Sequence, residues 1–140
     1  MSSTLERKNE YKIIGEIKGK GRPRTNFYSK RIYTPITTKR YERLIKEQYQ
    51  KANGAISQKD ISIRIIANFK IPKSYTKKKI KEIEEGKLRP HKIDVDNIAK
   101  VVMDALNKVA YEDDRQIVNL EVSKRYTKEE ENLQIFITEL

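Results

Sequence analysis

The chain has 140 residues, of which 36% are hydrophobic and 36% charged, and its formal net charge is +11. This length predicts a single domain, residues 1–140, with a core large enough to fold without disulfides or a structural metal. The absence of cysteine excludes disulfide frameworks, zinc ribbons, iron–sulfur clusters and thiol nucleophiles, and the single histidine, His91, excludes paired-histidine sites.

The first third of the chain predicts a strand, a long loop and a helix. The start, MSSTLERKNEYK, lacks the apolar stretch of a signal peptide or membrane span, so we expect a cytoplasmic protein without a membrane partner. Residues 11–18 (YKIIGEIK) alternate as a strand does, and residues 19–35 follow without a clear period. Such long loops in small domains are often functional. Thr37 and Thr38 offer helix caps, and apolar residues at helical spacing predict a helix over 37–52.

The remainder of the chain predicts a mixed α/β (α+β) domain with a sheet of about four strands and two main helices. Residues 61–71 alternate between apolar and polar side chains, which is typical of a strand buried on one face. Residues 76–85 predict a short helix closed by Gly86, and an apolar stripe predicts a helix over 95–109. Two further strands are indicated by alternating apolar residues on either side of a polar TKEEEN hairpin: Val118, Leu120 and Val122, then Leu133, Ile135 and Ile137.

Positive charge is concentrated in two segments. Residues 18–46 contain ten Lys or Arg and one acid, and residues 73–92 contain eight basic and three acidic residues. Residues 93–140 have the opposite balance, with six basic and eleven acidic residues. Clustered Lys and Arg with nearby aromatic residues are typical of proteins that bind the nucleic-acid backbone. The alternative is a solvated basic surface that only maintains solubility.

Four aspartates in this acidic part are grouped: Asp94 with Asp96, and Asp113 with Asp114. Structural interpretations exist for each: Asp94 is a possible helix cap, Asp96 and Lys100 a possible i,i+4 pair, and Asp113-Asp114 a turn. Such roles do not explain why carboxylates are grouped in a protein that binds a polyanion. Metal-dependent phosphodiester hydrolysis does explain it, since carboxylates hold divalent ions against the scissile phosphate.

The ion that this chemistry indicates is Mg²⁺, with Mn²⁺ as a possible substitute. Mg²⁺ prefers oxygen ligands and retains several waters, so one or two carboxylates suffice and no His or Cys is needed. A nearby Lys can stabilise negative charge on the phosphate or orient the attacking water. A calcium loop of the EF-hand type does not fit, because Ala99 and Ala105 occupy the positions of its glycine and its final glutamate.

Several linked motifs resemble the RusA family of Holliday junction resolvases. Members of that family carry K-x-R-P-R, Y-T-P, P-D-x-D-N-L-x-K-x-x-x-D-A-L and D-D-x-Q in this order. The chain has KGRPR at 20–24, YTP at 33–35, IDVDNIAKVVMDAL at 93–106 and DDRQ at 113–116. Ile93 replaces the usual proline and Ile98 the usual leucine.

The resemblance implies a Mg²⁺-dependent endonuclease that acts as a homodimer on four-way junction DNA, makes paired symmetric nicks, and has no small-molecule substrate. It implies that Asp94, Asp96 and Asp114 bind the metal and that Lys100 is the essential lysine. Asp113 is then a supporting ligand or a turn residue. Asp104 matches the aspartate of the D-A-L motif, and we expect that it could orient Lys100.

Basic residues of both positive segments are candidates for contacts to the DNA backbone, which position a substrate and carry little sequence information. They are Lys20, Arg22, Arg24, Lys30, Arg31, Lys77, Lys78 and Lys79.

Two alternatives to a resolvase stay open: a non-catalytic nucleic-acid-binding module, and a metal-dependent nuclease of other branched or duplex DNA. The family's association with prophages makes a prophage-encoded gene plausible. We expect the dimer interface at the exposed sheet edge or on the first helix.

Overall fold

A computed structural model of the chain describes residues 8–21, 24–25, 28–29, 31–33, 35–52 and 54–140. It contains six strands and three α-helices in these ranges, with a short 3₁₀ turn at Asp114–Gln116. The elements in chain order are β1 (Lys8–Ile14), β2 (Arg24–Thr25), β3 (Ile32–Tyr33), α1 (Ile36–Lys51), β4 (Ile61–Lys70), α2 (Lys77–Glu84), α3 (Val95–Leu106), β5 (Ile117–Thr127) and β6 (Asn132–Glu139). No helix in the described part of the chain is long and apolar enough to cross a membrane.

Four strands form a mixed sheet in the order β1-β6-β4-β5. β6 pairs antiparallel with both β1 and β4, whereas β4 and β5 pair in parallel. Parallel neighbours cannot be joined by a tight turn, so the chain must cross over between them. That crossover contains α2, α3 and the 3₁₀ turn. The strands β2 and β3 form a separate two-stranded pair.

The core lies between one face of the sheet and helices α1 and α3. Alternate residues of the central strands β4 and β6 point into it, as the sequence pattern predicts. On α3, the predicted apolar stripe is buried throughout. The principal core side chains are Tyr41, Ile45 and Tyr49 of α1, Ile61, Ile63, Ile65 and Phe69 of β4, Ile98, Val101, Val102 and Leu106 of α3, and Leu133, Ile135 and Ile137 of β6. The predicted fold class is therefore confirmed.

The first strand and the two main helices differ from prediction at their ends. β1 stops at Ile14 rather than Lys18, because Gly15 has a φ of 119° and turns the chain. The helix predicted over 37–52 begins at Ile36 without a side-chain cap, and Thr38 is buried with its hydroxyl accepting a hydrogen bond from Gly21. α3 ends at Leu106, three residues early, just before Lys108 with its φ of 64°.

β5 is confirmed as a strand, but it is longer than predicted and its apolar residues are less buried. Val118 and Leu120 are exposed because β5 is an edge strand. Within the loop predicted over 19–35, the β2–β3 pair is a regular feature that the absence of a period did not indicate.

We predict losses of stability of different size for adjacent residues of β6. Replacing Ile135, which is fully buried, with Ala should lower the free energy of unfolding by about 2–5 kcal/mol, since a cavity remains in the core. The matched control is Phe136→Ala, at a half-buried position on the opposite face of the sheet, which should cost less than half as much. Urea unfolding would measure both changes. A larger loss for Phe136→Ala would contradict the assignment of the core to the helix-covered face.

Candidate active site and nucleic-acid interface

The D-x-D-N motif lies at the start of α3. Asp94 is the N-cap residue, and its backbone carbonyl accepts hydrogen bonds from Asn97 and Ile98. Its carboxylate makes no capping hydrogen bond and is exposed, as is that of Asp96 in the first turn. Lys100 Nζ lies 3.8 Å from an Asp96 oxygen, which forms the predicted i,i+4 pair. Two carboxylates and one ammonium are therefore exposed together at this helix end.

The second pair of aspartates belongs to the turn before β5. Asp113 Oδ1 accepts a hydrogen bond of 2.9 Å from the Arg115 amide, and its Oδ2 lies 3.3 Å from the Arg115 guanidinium. The hydrogen bond from the Arg115 amide holds the pKa of Asp113 below its usual value, and Asp114 and the Arg115 charge contribute in the same direction. Asp113 therefore acts as the cap of the 3₁₀ turn, and Asp114 follows it with an exposed side chain.

Gln116 fixes this turn to the rest of the molecule, a role that the sequence analysis did not assign. Its side-chain oxygen accepts hydrogen bonds from the amides of Glu112 and Asp113, at 2.8 and 3.0 Å. Its amide nitrogen donates to the carbonyls of Ser57 and Lys59, at 2.8 and 2.9 Å, just before β4. All four hydrogen-bonding positions of the side-chain amide are thus used. The available signal was a Gln three residues after Asp113, the spacing of a capping box.

The two pairs of aspartates lie at opposite ends of β5 within one chain. Lys124, near the carboxyl end of β5, donates a hydrogen bond of 3.0 Å to the Ile93 carbonyl, directly before Asp94. Asp114 instead precedes Ile117, where β5 begins. Lys124 lies seven positions after Ile117, which corresponds to about 23 Å along the strand. Consistently, the described residues contain no group of three or more His, Cys, Asp or Glu that could hold a metal ion.

Residues 19–21 pass directly over the amino-terminal half of α3. They lie at the start of the first positive segment, residues 18–46, which is called the basic segment below. The Lys20 amide donates to the Asn97 carbonyl at 2.9 Å, and the Gly21 amide donates to the Thr38 hydroxyl at 3.0 Å. A Cβ atom at Gly19 would approach Ile93 Cγ2 to 2.7 Å, so glycine permits this close packing. The basic segment is therefore joined to the same helix that bears Asp94 and Asp96.

Lys20 itself forms an ion cluster with two acids. Its Nζ lies 2.9 Å from Asp104 Oδ2 and 3.0 Å from Glu42 Oε2. Burial lowers the pKa of Lys20, but the hydrogen bonds to Asp104 and Glu42 outweigh it, so the pKa is raised overall. Lys20 joins residues 19–21 to α1 and α3, and its ammonium is already paired. Asp104 pairs with Lys20, whereas the ion pair of Lys100 is with Asp96.

The other predicted DNA contacts are distributed as follows. Arg31 is exposed, as are Lys77, Lys78 and Lys79 in the first turn of α2. The Lys79 ammonium lies 4.7 Å from the centre of the Tyr75 ring. Arg22 and Lys30 lie outside the described residues, and Arg24 belongs to β2. These basic residues therefore stay predictions as DNA contacts.

Comparison with known proteins relates the chain to a protein family and to a bacterial protein. A family model described as endodeoxyribonuclease RusA matches residues 15–138, nearly the whole chain. The chain is also 33% identical over 137 residues to the uncharacterized protein YqaN of Bacillus subtilis (strain 168), and the match covers 94% of this chain and 96% of that protein. The family match includes both pairs of aspartates, Lys100 and Gln116.

We predict that Gln116→Ala destabilises the turn that carries Asp113 and Asp114. The substitution removes four hydrogen bonds and leaves backbone groups to find water, so the free energy of unfolding should fall by about 1–3 kcal/mol. The control is Gln50→Ala on the exposed face of α1, with a change within about 0.5 kcal/mol. Thermal unfolding would measure stability, and amide exchange of residues 112–117 would locate the change. Equal exchange in both variants would contradict the role assigned to Gln116.

Proposed function

Because the chain belongs to the RusA family of endodeoxyribonucleases, we propose that it is a Mg²⁺-dependent endonuclease that resolves four-way DNA junctions by paired nicks. The observation that carries the proposal is the exposed group of Asp94, Asp96 and Lys100, with the basic segment hydrogen-bonded to the same turn of α3. A phosphate held by the basic segment would lie beside carboxylates that can bind a metal.

Asp94 and Asp96 fit a Mg²⁺ site. Their carboxylates are exposed, Asp94 is not used as a side-chain cap, and two carboxylates with waters and a substrate phosphate satisfy this ion. When bound, Mg²⁺ would stabilise charge on the scissile phosphate and lower the pKa of a bound water. Lys100 would add a positive charge beside Asp96, where negative charge develops on the phosphate.

Asp114 requires a second protomer if it acts on the same phosphate, because it lies at the other end of β5 from Asp94. A homodimer with two-fold symmetry can bring the start of α3 of one protomer to the 3₁₀ turn of the other, and the symmetry then creates two equal sites. Two such sites suit a four-way junction, which itself has approximate two-fold symmetry. In this arrangement Asp113 positions the turn through Arg115, and Asp114 contacts the metal.

Binding of the junction would depend mainly on phosphate contacts from exposed cations of both positive segments. Arg31, Lys77 and Lys78 are exposed and suited to this role, and Arg22, Arg24 and Lys30 belong to the same positive segment of the sequence as Arg31. Lys20 is better suited to hold residues 19–21 against α3 than to contact DNA, because two carboxylates already pair with it. We expect the contacts to be independent of base sequence and to weaken with salt.

We predict that Asp96→Asn abolishes cleavage but not binding. Loss of one ligand should lower the rate of junction cleavage by about a hundredfold or more, since metal-assisted charge stabilisation is worth several kcal/mol. Removal of a negative charge should leave junction affinity unchanged or higher. The measurement is cleavage of a synthetic four-way junction and of a linear duplex of the same sequence, with Mg²⁺ or EDTA.

The matched control is Asp60→Asn, an exposed aspartate before β4. It should cleave as the wild type does. Junction binding without cleavage by the wild type in any divalent ion would instead indicate a binding module. Equal cleavage of the linear duplex would indicate a nuclease of broader specificity.

We predict that two inactive variants complement each other in a mixed dimer. A heterodimer of Asp96→Asn and Asp114→Asn has one site with both substitutions and one intact site, provided that each site draws on both chains. Differently tagged copies purified together should then nick the junction on one strand, whereas each homodimer is inactive. If the mixed dimer binds the junction but makes no nick, all ligands come from one chain and the shared site is wrong.

A further inference from the structure

A cavity of about 360 Å³ lies at the carboxyl ends of the parallel strands β4 and β5. Its lining includes Tyr75 from the segment between β4 and α2, Tyr126 from β5, and Arg89, His91 and Lys92 from the segment that leads into α3. This volume falls near the lower limit of small-ligand sites, about 300–1,000 Å³. Crevices outside the carboxyl ends of parallel strands are common ligand sites in α/β proteins.

Two tyrosines form the aromatic wall of the cavity. The rings of Tyr75 and Tyr126 meet edge to face with centroids 6.0 Å apart, and their hydroxyls are 3.2 Å apart. Lys79 lies 4.7 Å from the centre of the Tyr75 ring. Burial, and then the hydrogen bond to Tyr75, raise the pKa of Tyr126 to about 12, and its hydroxyl is neutral at physiological pH, as that of any ordinary tyrosine is. The pair is held in place before any ligand arrives.

Basic side chains border this wall. Arg89 and Lys92 are exposed at the cavity, on the segment between α2 and α3, and the exposed His91 ring lies beside Lys92 in the sequence. One acid, Glu131, also lines it, but both of its oxygens accept backbone hydrogen bonds, from Ile17 at 2.8 Å and Lys70 at 3.1 Å. The Glu131 carboxylate is therefore engaged by backbone amides, whereas Lys70, Arg89 and Lys92 bring positive charge to the cavity lining. The Lys92 ammonium also lies 4.0 Å from Glu16, in an exposed pair that a phosphate could replace.

The cavity lies next to the proposed catalytic acids. Its lining segment ends at Lys92, two residues before Asp94, and Lys124 on β5 fixes the intervening Ile93 carbonyl. A nucleotide held in the cavity would therefore be close along the DNA strand to a phosphate at Asp94 and Asp96. The cavity and the acids can change their relative position only if the chain between them moves.

We propose that this cavity binds one unstacked nucleotide of the junction DNA, with its base against Tyr126 and its phosphate facing Arg89 and Lys92. The inference rests on the proposed function. Aromatic side chains beside a positively charged groove are the usual means of holding unpaired nucleotides without sequence preference. A duplex cannot enter a cavity of this size, so the base must leave the stack, as it does in enzymes that extrude nucleotides. A branch point interrupts stacking and lowers the cost of that step.

The test places 5-iodouracil at each position within three nucleotides of the branch point and irradiates the complex in EDTA. We expect one position to cross-link to the peptide that contains Tyr75 or Tyr126. Tyr126→Leu should lose this cross-link and weaken junction binding by about tenfold to a hundredfold, the range for loss of one stacked base. Tyr126→Phe keeps the ring and should retain both.

A second pair of variants tests the cavity even if Tyr126→Leu does not fold. Arg89→Gln changes a cation at the cavity, and the matched control Arg125→Gln changes one beside Tyr126 on the opposite face of β5. Arg89→Gln should reduce the cross-link severalfold, and Arg125→Gln should not. If the wild type binds and cleaves the junction but no position cross-links to either tyrosine, the cavity proposal is overturned and the resolvase stands. If the wild type neither prefers nor cleaves the junction, the proposed function fails and the cavity proposal with it.

Discussion

The parallel pairing of β4 with β5 is the constraint on which the arrangement of the candidate site depends. Ten residues of β4 pair with β5, with one register shift between Ile61 and Ser62, and β4 is also paired with β6 on its other side. Two adjacent parallel strands oblige the intervening chain to return the full length of the sheet. Residues 71–116 make that return, and they contain Asp94, Asp96, Lys100, Asp113 and Asp114. The candidate catalytic residues are thus located by the crossover, and the packing of α3 against the sheet fixes their positions.

The crossover also explains why the basic segment lies where it does. α3 is covered on its inner side by the core, and its outer side must receive a polar partner or remain solvated. Residues 19–21 occupy part of this side through a backbone hydrogen bond to Asn97 and the ion pair of Lys20 with Asp104. The two glycines allow the close approach, because a side chain at Gly19 or Gly21 would overlap Ile93 or Thr38. Lys20 therefore stabilises the fold, and it holds the start of the basic segment beside α3.

Periodicity predicted the parts of the fold that depend on burial alone. β4, β6 and the stripe of α3 face the core on a regular period, so their positions followed directly from the sequence. Properties that depend on neighbours distant in sequence could not be predicted. The exposure of Leu120 follows from the edge position of β5, and the pairing of Lys20 with Asp104 follows from the path of a loop across α3. Gln116 has the spacing of a capping box, a signal that the sequence analysis did not use, and its bonds to Ser57 and Lys59 arise only once β4 lies beside the turn.

The separation of the two aspartate pairs has an electrostatic consequence for the proposed dimer. Within one chain the pairs are farther apart than the screening length of about 8–10 Å at physiological salt, so they hardly repel each other. A dimer that brings Asp94 and Asp96 near Asp114 of the second protomer would add repulsion between the carboxylates. Among the described side chains, Lys100 pairs with Asp96 and Arg115 with Asp113, so each cation offsets the charge of its own pair only. A divalent cation would offset the repulsion. Any ion that binds the dimer more tightly than the monomer must shift the equilibrium towards the dimer. In this proposal, metal binding and dimer formation are therefore thermodynamically linked, and the polyanionic substrate approaches a site whose negative charge is already compensated.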